Sequence, residues 1–514
     1  MARGLDPAQL EELRRIVARR LGLQLDEGKL GLLGGVAAKR LHALGDVSVD
    51  AWLLRLDARH PDEVAYLAER LTVGETYFFR NTNDLAAFAE VVLPHRAAAR
   101  KNERRLRLLS AGCSSGEEAY TLAMVVRDIP SLHGWDVAVR GVDLNPLAIA
   151  KATAGRYEPW SLRQTEPGPS QRFFEASGRE FRVRPEVRGM VSFEQGNLVD
   201  DTSAPWAPGA FDVVFCRNVT MYFAPEVTRR VIDRIASSLA PGGYLFLGHA
   251  ETLRGTSNRF HLRHSHGTFY YQLREEGAPA EAPFAALLSA SAGPGSAAAN
   301  SASRGWLETI EAASERIAAL TGRSAPPQAA PPAPRPAPEP AAPSREPGVL
   351  LARAHDLTRQ ERFAEALSLL RATPLDAESD TDALLLRAVV LTSSGAPAAA
   401  EEVCARILAL DELSAEAHYL KALCREHARD LVGAADHDHY ALYLDPTFAM
   451  PRLHLGLLAQ RAGDREAARR ELSRALVLLS AEDASRILLL GGGFVREALL
   501  ALCRAELRAC GGEP

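Results

Sequence analysis

Apolar residues recur at helical spacing along the first part of the chain. In "QLEELRRIVARRL" the apolar positions run from Leu10 to Leu21, mostly three or four residues apart, with arginines between them. This pattern predicts an amphipathic helix that buries one face. Shorter patterns of the same kind follow in "DAWLLRL" and "PDEVAYLAERL". We therefore expect a helical N-terminal domain over residues 1–95.

Residues 96–274 show a different pattern, in which apolar runs alternate with helical stretches. The runs are "LRLLSAG", "VAVRGVDL", "VSFEQGN", "FDVVFCRN" and "YLFLGHA". Such runs are typical of strands buried on both faces, and their alternation with helices predicts a parallel sheet. The stretch "FHLRHSHGTFYYQL" predicts a hairpin that closes the sheet. Residues 171–193 have the pattern of a small antiparallel β insert.

The alternating pattern ends in a region that is rich in proline and alanine, residues 275–347. Its stretch "SAPPQAAPPAPRPAPEPAAPSREPG" cannot bury a core, so we expect an extended linker. One isolated helix over residues 305–321 is a further expectation within it.

Residues 348–482 carry an internal repeat of 34 residues. Small residues return at two positions of the repeat, first as Ala354, Ala388, Ala422 and Gly456, and then as Ala366, Ala400, Ala434 and Ala468. Small residues at fixed positions let the two helices of a hairpin approach closely, and the period resembles that of the tetratricopeptide repeat. A generic helical bundle is the alternative. We expect a C-terminal helical cap over residues 483–514.

Composition narrows the class of protein. The 514 residues are 47% apolar and 24% charged, with a net charge of −5, which does not favour nucleic acid as a partner. The six cysteines form no CxxC pair, which favours a reducing compartment over a disulfide framework or a zinc site. No apolar run is long enough to cross a bilayer. We expect a cytoplasmic protein with no membrane insertion and no metal.

The segment "LLSAGCSSGEEAYTLAM" reads as a strand, a loop of small residues and a helix. It fits neither GxGxxG nor a P-loop, and its adjacent Glu117 and Glu118 would repel a pyrophosphate at the helix start. A nicotinamide dehydrogenase is therefore disfavoured. A cofactor with a cationic amine and a sulfonium would suit a carboxylate, which indicates S-adenosyl-L-methionine. Asp143, at the end of the next strand, is placed to accept the ribose hydroxyls. Alternatively, the two glutamates only complement the helix dipole.

Several segments together resemble one known family, the CheR-type chemoreceptor glutamate methyltransferases. They are "ETYFFR", "SAGCSSGEEAYTLAM", "GVDLNPLAIAKATAGRY", "GNL", "FDVVFCRNVTMYF" and "LAPGGYLFLGHAE", in the family order. The resemblance covers about residues 1–274. It implies a Rossmann-like methyltransferase domain and methylation of glutamates on the cytoplasmic helical bundle of chemoreceptors. The product of the cofactor would be S-adenosyl-L-homocysteine. The repeats would bind a protein partner that the sequence does not name.

The resemblance also implies roles for matching residues. Arg80 and Tyr222 would be the catalytic residues, with Tyr222 facing the reacting carboxylate. The cofactor would be held by Thr76 and Arg80 at the junction with the substrate, Glu117 at the methionine amino group, Asp143 at the ribose, Asn197 and Leu198 beside the adenine, and Asn218 and Val219 along the site.

Three departures from the family pattern bear on substrate and activity. Gly74 stands where the family often has asparagine, and an arginine of the second N-terminal helix is replaced near Val36. The β insert has a short turn, "FEASGREF", so we predict no dependence on a receptor's C-terminal tether peptide. Basic residues of the first two helices, such as Arg14 and Arg40, are candidates for an acidic receptor surface or simply for a solvated helix face. The alternative function is a catalytically weak scaffold whose repeats recruit partners.

Overall fold

The computed structural model describes residues 5–45, 47–163, 165, 171–200, 206–275, 347–360, 362–371, 380–492 and 494–511. The chain divides into two compact units, Met1–Pro279 and Ala280–Pro514. Most of the expected linker, including the expected helix over residues 305–321, lies outside the described residues.

Four helices open the first unit: α1 Pro7–Leu21, α2 Leu30–Leu44, α3 Val49–Asp57 and α4 Pro61–Leu71. The apolar stripe of α1 is buried as its spacing predicts, against residues of α2 and α3 such as Leu33 and Trp52. The buried Glu63 carboxylate accepts hydrogen bonds from Trp52 Nε1 at 2.8 Å and Arg40 Nε at 2.8 Å. Arg40 therefore helps to fix the helices to each other.

The basic residues of α1 also have partners within the unit. Arg14 pairs with Glu11 at 2.8 Å, and Arg19 and Arg20 both pair with Asp57. These paired arginines fit a solvated helix face better than a free basic patch for an acidic receptor surface.

A seven-stranded sheet forms the rest of the first unit, in the order β6-β2-β1-β7-β8-β10-β9. Neighbouring strands from β6 to β8 are parallel, and the hairpin β9–β10 closes the sheet in antiparallel fashion, as the sequence predicts. The strands of this sheet are β1 Arg105–Ala111, β2 Asp136–Asp143, β6 Val191–Gln195, β7 Phe211–Cys216, β8 Leu239–Leu247, β9 Phe260–Ser265 and β10 Thr268–Leu273.

Helices connect and cover these strands. They are α5 Thr82–Ala87, a π-helical segment Phe88–Val92, α6 Leu93–Ala99, α7 Glu117–Arg127, α8 Pro146–Ala154, α9 Pro185–Arg188 and α10 Pro225–Ser238. The central strands are buried on both faces, and β7 is buried at every position. This burial is the physical reason for their uninterrupted apolar sequences.

A second sheet of three short antiparallel strands has the order β3-β5-β4, with β3 Arg156–Tyr157, β4 Phe174–Ser177 and β5 Glu180–Val183. The hairpin β4–β5 lies in the expected insert, while residues 191–193 belong to β6 of the large sheet.

The second unit is built of helix hairpins followed by two further helices. Its helices are α11 Pro347–Arg359, α12 Phe363–Arg371, α13 Thr381–Ser393, α14 Pro397–Leu410, α15 Ala415–His427, α16 Leu431–Leu444, α17 Ala449–Arg461, α18 Arg465–Ala481, α19 Ala484–Leu490 and α20 Arg496–Ala509. The repeated small residues are buried, and a side chain at Gly456 would meet Leu472 Cγ at 2.7 Å. The second unit is a tetratricopeptide-repeat domain.

Candidate active site

Strands β1, β2 and β7 end at one edge of the large sheet, and the strand order reverses between β1 and β7. Ligands bind at such a switch point in open α/β sheets. Two adjoining depressions lie there, with about 750 Å³ and about 560 Å³ of free space that includes open solvent. Both are lined by Val73, Gly112, Ser114 and Asn218. Together they form one cleft.

All but one of the residues proposed from the sequence line this cleft. The larger depression is lined by Asp143, Asn197, Leu198, Asn218, Val219 and Tyr222, and the smaller one by Thr76, Arg80 and Asn218. Glu117 lines neither depression, whereas Glu118 lines the smaller one.

Asp143 lies at the carboxyl end of β2 and braces the loop after β1. Its Oδ2 accepts a hydrogen bond from the Ser114 backbone N–H at 2.8 Å, and its Oδ1 accepts one from the Asn145 N–H at 2.9 Å. Burial raises the pKa of the Asp143 carboxyl, although these backbone hydrogen bonds oppose the rise. The carboxylate is thus held in place and borders the larger depression.

Glycine at position 112 is required by the close approach of two loops. Its φ is +75°, and a Cβ there would clash with Val219 Cγ2. A larger residue would displace the loop that carries Asn218 and Val219. The small-residue loop therefore serves packing between the carboxyl ends of β1 and β7.

The two glutamates of the first turn of α7 have different surroundings. Glu117 is 1% exposed, and its carboxylate accepts hydrogen bonds from Ser115 Oγ at 2.7 Å and Ser161 Oγ at 3.0 Å. Burial raises the pKa of the Glu117 carboxyl. It joins the loop after β1 to the segment that follows β3.

Of these two glutamates, only Glu118 borders the cleft. It accepts hydrogen bonds from Ser110 Oγ at 2.8 Å and Arg217 Nη1 at 3.3 Å. Arg217, with a side chain 3% exposed, also lies 3.2 Å from Asp84 through its Nε. Burial raises the pKa of Glu118, and the positive charge of Arg217 acts against it. A partly shielded carboxylate of this kind suits a cationic ligand group.

Glu251 holds the backbone of the loop after β7. Its carboxylate accepts hydrogen bonds from the N–H groups of Gly248, Asn218, Val219 and Met221, at distances between 2.6 and 3.1 Å. Asn218 has a left-handed backbone, with φ +59°. Such a conformation costs free energy in a non-glycine residue, and the buried carboxylate stabilises it.

Residues 75–77 and Arg80 line the smaller depression, and Arg163 contacts this segment from outside the lining. Arg80 Nη1 donates a hydrogen bond to the Glu75 carbonyl at 3.2 Å. The Arg163 guanidinium lies 3.9 Å from the centre of the Tyr77 ring and 4.2 Å from that of Trp160. Phe78 N–H also donates to the Ser161 carbonyl at 2.9 Å. The segment that carries Arg80 is therefore fixed on one side and faces the cleft on the other.

Glu118, Arg217 and Glu251 are site residues to which the sequence reasoning assigned no ligand contact or supporting role. For Glu118 the sequence predicts a first-turn position beside Glu117, where a carboxylate also complements the helix dipole. For Arg217 and Glu251, a usable signal was their position after β7 and β8, at the sheet edge where ligands bind. The described residues contain no group of three or more His, Cys, Asp or Glu side chains suited to a metal ion. Nor does any helix among them have the length and apolarity to cross a membrane.

The donor set fits one cofactor. Asp143 borders the larger depression and Glu118 the smaller, and carboxylates suit both the ribose hydroxyls and the cationic amino-acid head of S-adenosylmethionine. The fold and this cleft define an S-adenosylmethionine-dependent methyltransferase, and residues 74–269 match the family described as "CheR methyltransferase, SAM binding domain".

Known relatives extend the likeness over most of the chain. The chain is 31% identical to "Probable biofilm formation methyltransferase WspC" of Pseudomonas putida, across 90% of this chain and 96% of that protein. It is 32% identical to "Chemotaxis protein methyltransferase 1" of Pseudomonas aeruginosa, across 50% of this chain and 94% of that protein. The chain belongs to the CheR methyltransferase family. Among solved structures it is similar to "MamA 41-end from Desulfovibrio magneticus RS-1", with 20% identity and a TM-score of 0.25, over 27% of this chain and 78% of that one.

Proposed function

We propose that the protein methylates glutamate side chains on the cytoplasmic helical bundle of a chemoreceptor and forms glutamate methyl esters in the cytoplasm. The observation that carries the proposal is the chemistry of the cleft wall. Among the described residues that line it, there is no histidine, and the only thiol is that of Cys113. Burial raises the pKa of the Cys113 thiol well above its usual value, so this group stays protonated.

A cleft wall without a histidine or an ionised thiol suits a nucleophile that is already ionised. A glutamate side chain has an ordinary pKa of about 4.3 and needs no general base at neutral pH, in contrast to a hydroxyl or an ammonium group. Three carboxylates line the cleft. Glu75 is exposed and lies 3.4 Å from Arg163, whereas Glu118 is engaged with Ser110 and Arg217, and Asp143 with two backbone N–H groups. This engagement favours a binding role for Glu118 and Asp143.

Arg80 and Tyr222 are the residues we propose for orienting the substrate. Bound S-adenosylmethionine supplies an electrophilic methyl group on a sulfonium. The protein then has to align the incoming carboxylate with that methyl, and alignment can lower a barrier by roughly 7–11 kcal/mol. Arg80 lines the smaller depression and Tyr222 the larger. We expect a loose contact from Arg80, because a tight bidentate pair would reduce the nucleophilicity of the carboxylate.

Several relatives are named as chemotaxis protein methyltransferases, which supports a chemosensory substrate. The WspC relative, matched over nearly its whole length, is named for biofilm formation. The biofilm relative and the chemotaxis relatives together are consistent with a receptor substrate in a signalling system other than chemotaxis. The repeats of the second unit are proposed to bind a protein partner.

The test is a methyl-transfer assay with radiolabelled S-adenosylmethionine and receptor-rich membranes. Alkali-labile label on the receptor is expected, because a methyl ester releases methanol in base. In Arg80→Ala, transfer should fall at least a hundredfold while the affinity for S-adenosylhomocysteine stays within about threefold. Arg229→Ala, on the exposed face of α10, is the matched control.

Two results would count against the proposal. Label that resists alkali would indicate transfer to nitrogen, and an acceptor other than glutamate. Undiminished transfer by Arg80→Ala would remove Arg80 from the catalytic role.

A further inference from the structure

The short helix α19 lies against the first helices of the repeat hairpins. The first helices of neighbouring hairpins contact each other, α11 with α13 and α13 with α15, so they form the inner layer of the array. Stacked hairpins of this type create a concave surface that other proteins use for binding. Helix α19 contacts this layer at both of its ends.

The N-terminal end of α19 is anchored by a charged side chain. Arg486 Nη2 lies 2.8 Å from Glu416 Oε1, on α15, and Arg486 Nη1 lies 2.7 Å from Asp445 Oδ2. The same guanidinium lies 3.9 Å from the centre of the Phe448 ring. Arg486 Nη1 also lies 3.5 Å from Glu482 Oε1, four residues earlier in the chain. Three carboxylates and an aromatic face thus surround one arginine, an arrangement that favours guanidinium over ammonium.

The C-terminal end of α19 is anchored by an apolar side chain. Leu489 packs against the cluster that contains Ala354 and Leu357 of α11 and Leu386 and Val390 of α13. The inner layer therefore meets α19 with an acidic subsite at one end and an apolar subsite at the other, three residues apart along the helix. This is how a groove recognises a short helical peptide.

The helices next to α19 contact each other directly. Helix α20 packs on α18, where Cys503 Sγ donates to the Leu472 carbonyl at 3.1 Å, and Gln460 Nε2 donates to Glu506 at 2.7 Å. Gly491 and Gly492 follow α19, and Gly492 has φ +66°. A helix of seven residues is marginal by itself. Helices α18 and α20 are therefore paired by contacts of their own, and segment 484–490, in which Ile487 and Leu490 are each 2% exposed, is the part that has to leave the inner layer.

We propose that the inner face of the repeats is a binding site for a protein segment with arginine three residues before leucine, and that α19 occupies this site as an internal ligand in the free protein. A partner with an Arg-x-x-Leu segment displaces α19 and binds to Glu416, Asp445, Phe448 and the apolar cluster. The binding surface is thereby closed until such a partner is present.

The experiment uses full-length protein and a fluorescein-labelled peptide of residues 481–492, AEDASRILLLGG. In Arg486→Glu and in Leu489→Asp, α19 should vacate the site, so the peptide should bind at least tenfold more tightly than it binds the unchanged protein. The exposed Arg504→Glu on α20 makes the same charge change outside the site and should bind like the unchanged protein. A peptide with glutamate in place of arginine should not bind to the opened variants.

Hydrogen exchange on the unchanged protein provides a second measurement. Amides of α19 should exchange at least tenfold faster than those of α18 and α20, and binding of an Arg-x-x-Leu peptide should protect the first helices of the hairpins. Folded variants that fail to bind the peptide would overturn the proposal. So would variants that do not fold, or exchange of α19 at the rate of its neighbours, because α19 would then be part of the core. A stable dimer of the unchanged protein that dissociates in Arg486→Glu would assign the site to a second copy and overturn the internal assignment.

Discussion

At the scale of single residues, Glu117 and Glu118 show how one step along a helix changes a role. A step of one residue rotates a side chain by about 100° around the axis. Glu117 therefore points to Ser115 and Ser161 inside the unit, while Glu118 borders the cleft beside Arg217. The rotation of α7 about its axis, relative to the sheet, determines which glutamate faces the cleft. The sequence contains no direct signal of that rotation.

We expect the two glutamine substitutions to separate these roles. Glu118→Gln should weaken the binding of S-adenosylhomocysteine by roughly ten- to a hundredfold, because a hydrogen bond to a charged group contributes about 1.5–3 kcal/mol. Glu117→Gln should lower the melting temperature and leave affinity within about threefold, since it disturbs buried hydrogen bonds. Calorimetric titration and thermal unfolding measure the two effects. If Glu117→Gln weakens binding and Glu118→Gln lowers only the melting temperature, Glu117 is the residue that contacts the cofactor.

At the scale of elements, the tight turn between paired helices has the same backbone conformation in three hairpins, although the residue type at the turn differs. The repeat places Gly395 and Gly463 at this turn with φ of +75° and +80°, and Arg429 occupies the same place with φ +63°. A Cβ at Gly395 would meet nothing within 4 Å, so only backbone conformation distinguishes the position. Left-handed backbone costs a non-glycine residue about 1–2 kcal/mol.

Arg429→Gly should therefore stabilise the second unit by about 1 kcal/mol, and Gly395→Ala should destabilise it by about the same amount. Arg429 is exposed, so the loss of its side chain should have little separate effect. Urea unfolding followed by circular dichroism gives both values. A loss of stability in Arg429→Gly would mean that its side chain contributes more than the strain costs.

A buried histidine links three helices of the second unit. His454 of α17 lies 2.7 Å from Asp438 of α16 and 3.3 Å from Glu426 of α15, and Glu426 also pairs with Arg461. The two carboxylates raise the pKa of His454 to about 9 against the cost of its burial, and burial raises the pKa of Asp438 to about 6. At neutral pH the group is a buried ion network in which His454 is protonated.

This network predicts a loss of stability in alkali. The pKa of His454 is above its unfolded value of 6.5, so its contribution is complete below pH 6.5 and disappears as the pH rises through about 9. The difference corresponds to roughly 3 kcal/mol. Unfolding free energy measured between pH 7 and pH 10 should fall accordingly. His454→Gln should be less stable by about 3–5 kcal/mol at pH 7 and lose this pH dependence, whereas the exposed His427→Gln should retain it.

Elements with a strong periodic pattern could be predicted from the sequence, whereas elements and contacts that depend on distant residues could not. The parallel strands and the repeat hairpins follow from apolar runs and from the 34-residue period, because burial itself creates those patterns. Helix α19 has no such signal. The sequence "SRILLL" suits any buried helix, and its place against α11, α13 and α15 depends on distant Glu416 and Leu386. Likewise, the carboxylate of Glu251 is brought to Asn218 only by the fold.

At the scale of the whole molecule, relatives of two lengths indicate how independent the units are. The P. putida relative is matched over both units, whereas the P. aeruginosa relative is matched over 94% of its length by half of this chain. A protein of about the length of the first unit alone is thus a member of the same family. The large sheet and its covering helices also form their own hydrophobic core within that unit.

We therefore expect residues 1–275 to fold alone and to bind S-adenosylhomocysteine with an affinity within about twofold of the full chain, because each described residue that lines the cleft belongs to the first unit. Circular dichroism and calorimetric titration provide the readouts. The Glu118→Gln substitution in the shortened protein is the control, since it should weaken binding there by the same factor as in the full chain. Aggregation of the shortened protein, or binding weakened tenfold, would mean that the second unit supports the cleft, and the repeats would then have a role in catalysis beyond partner binding.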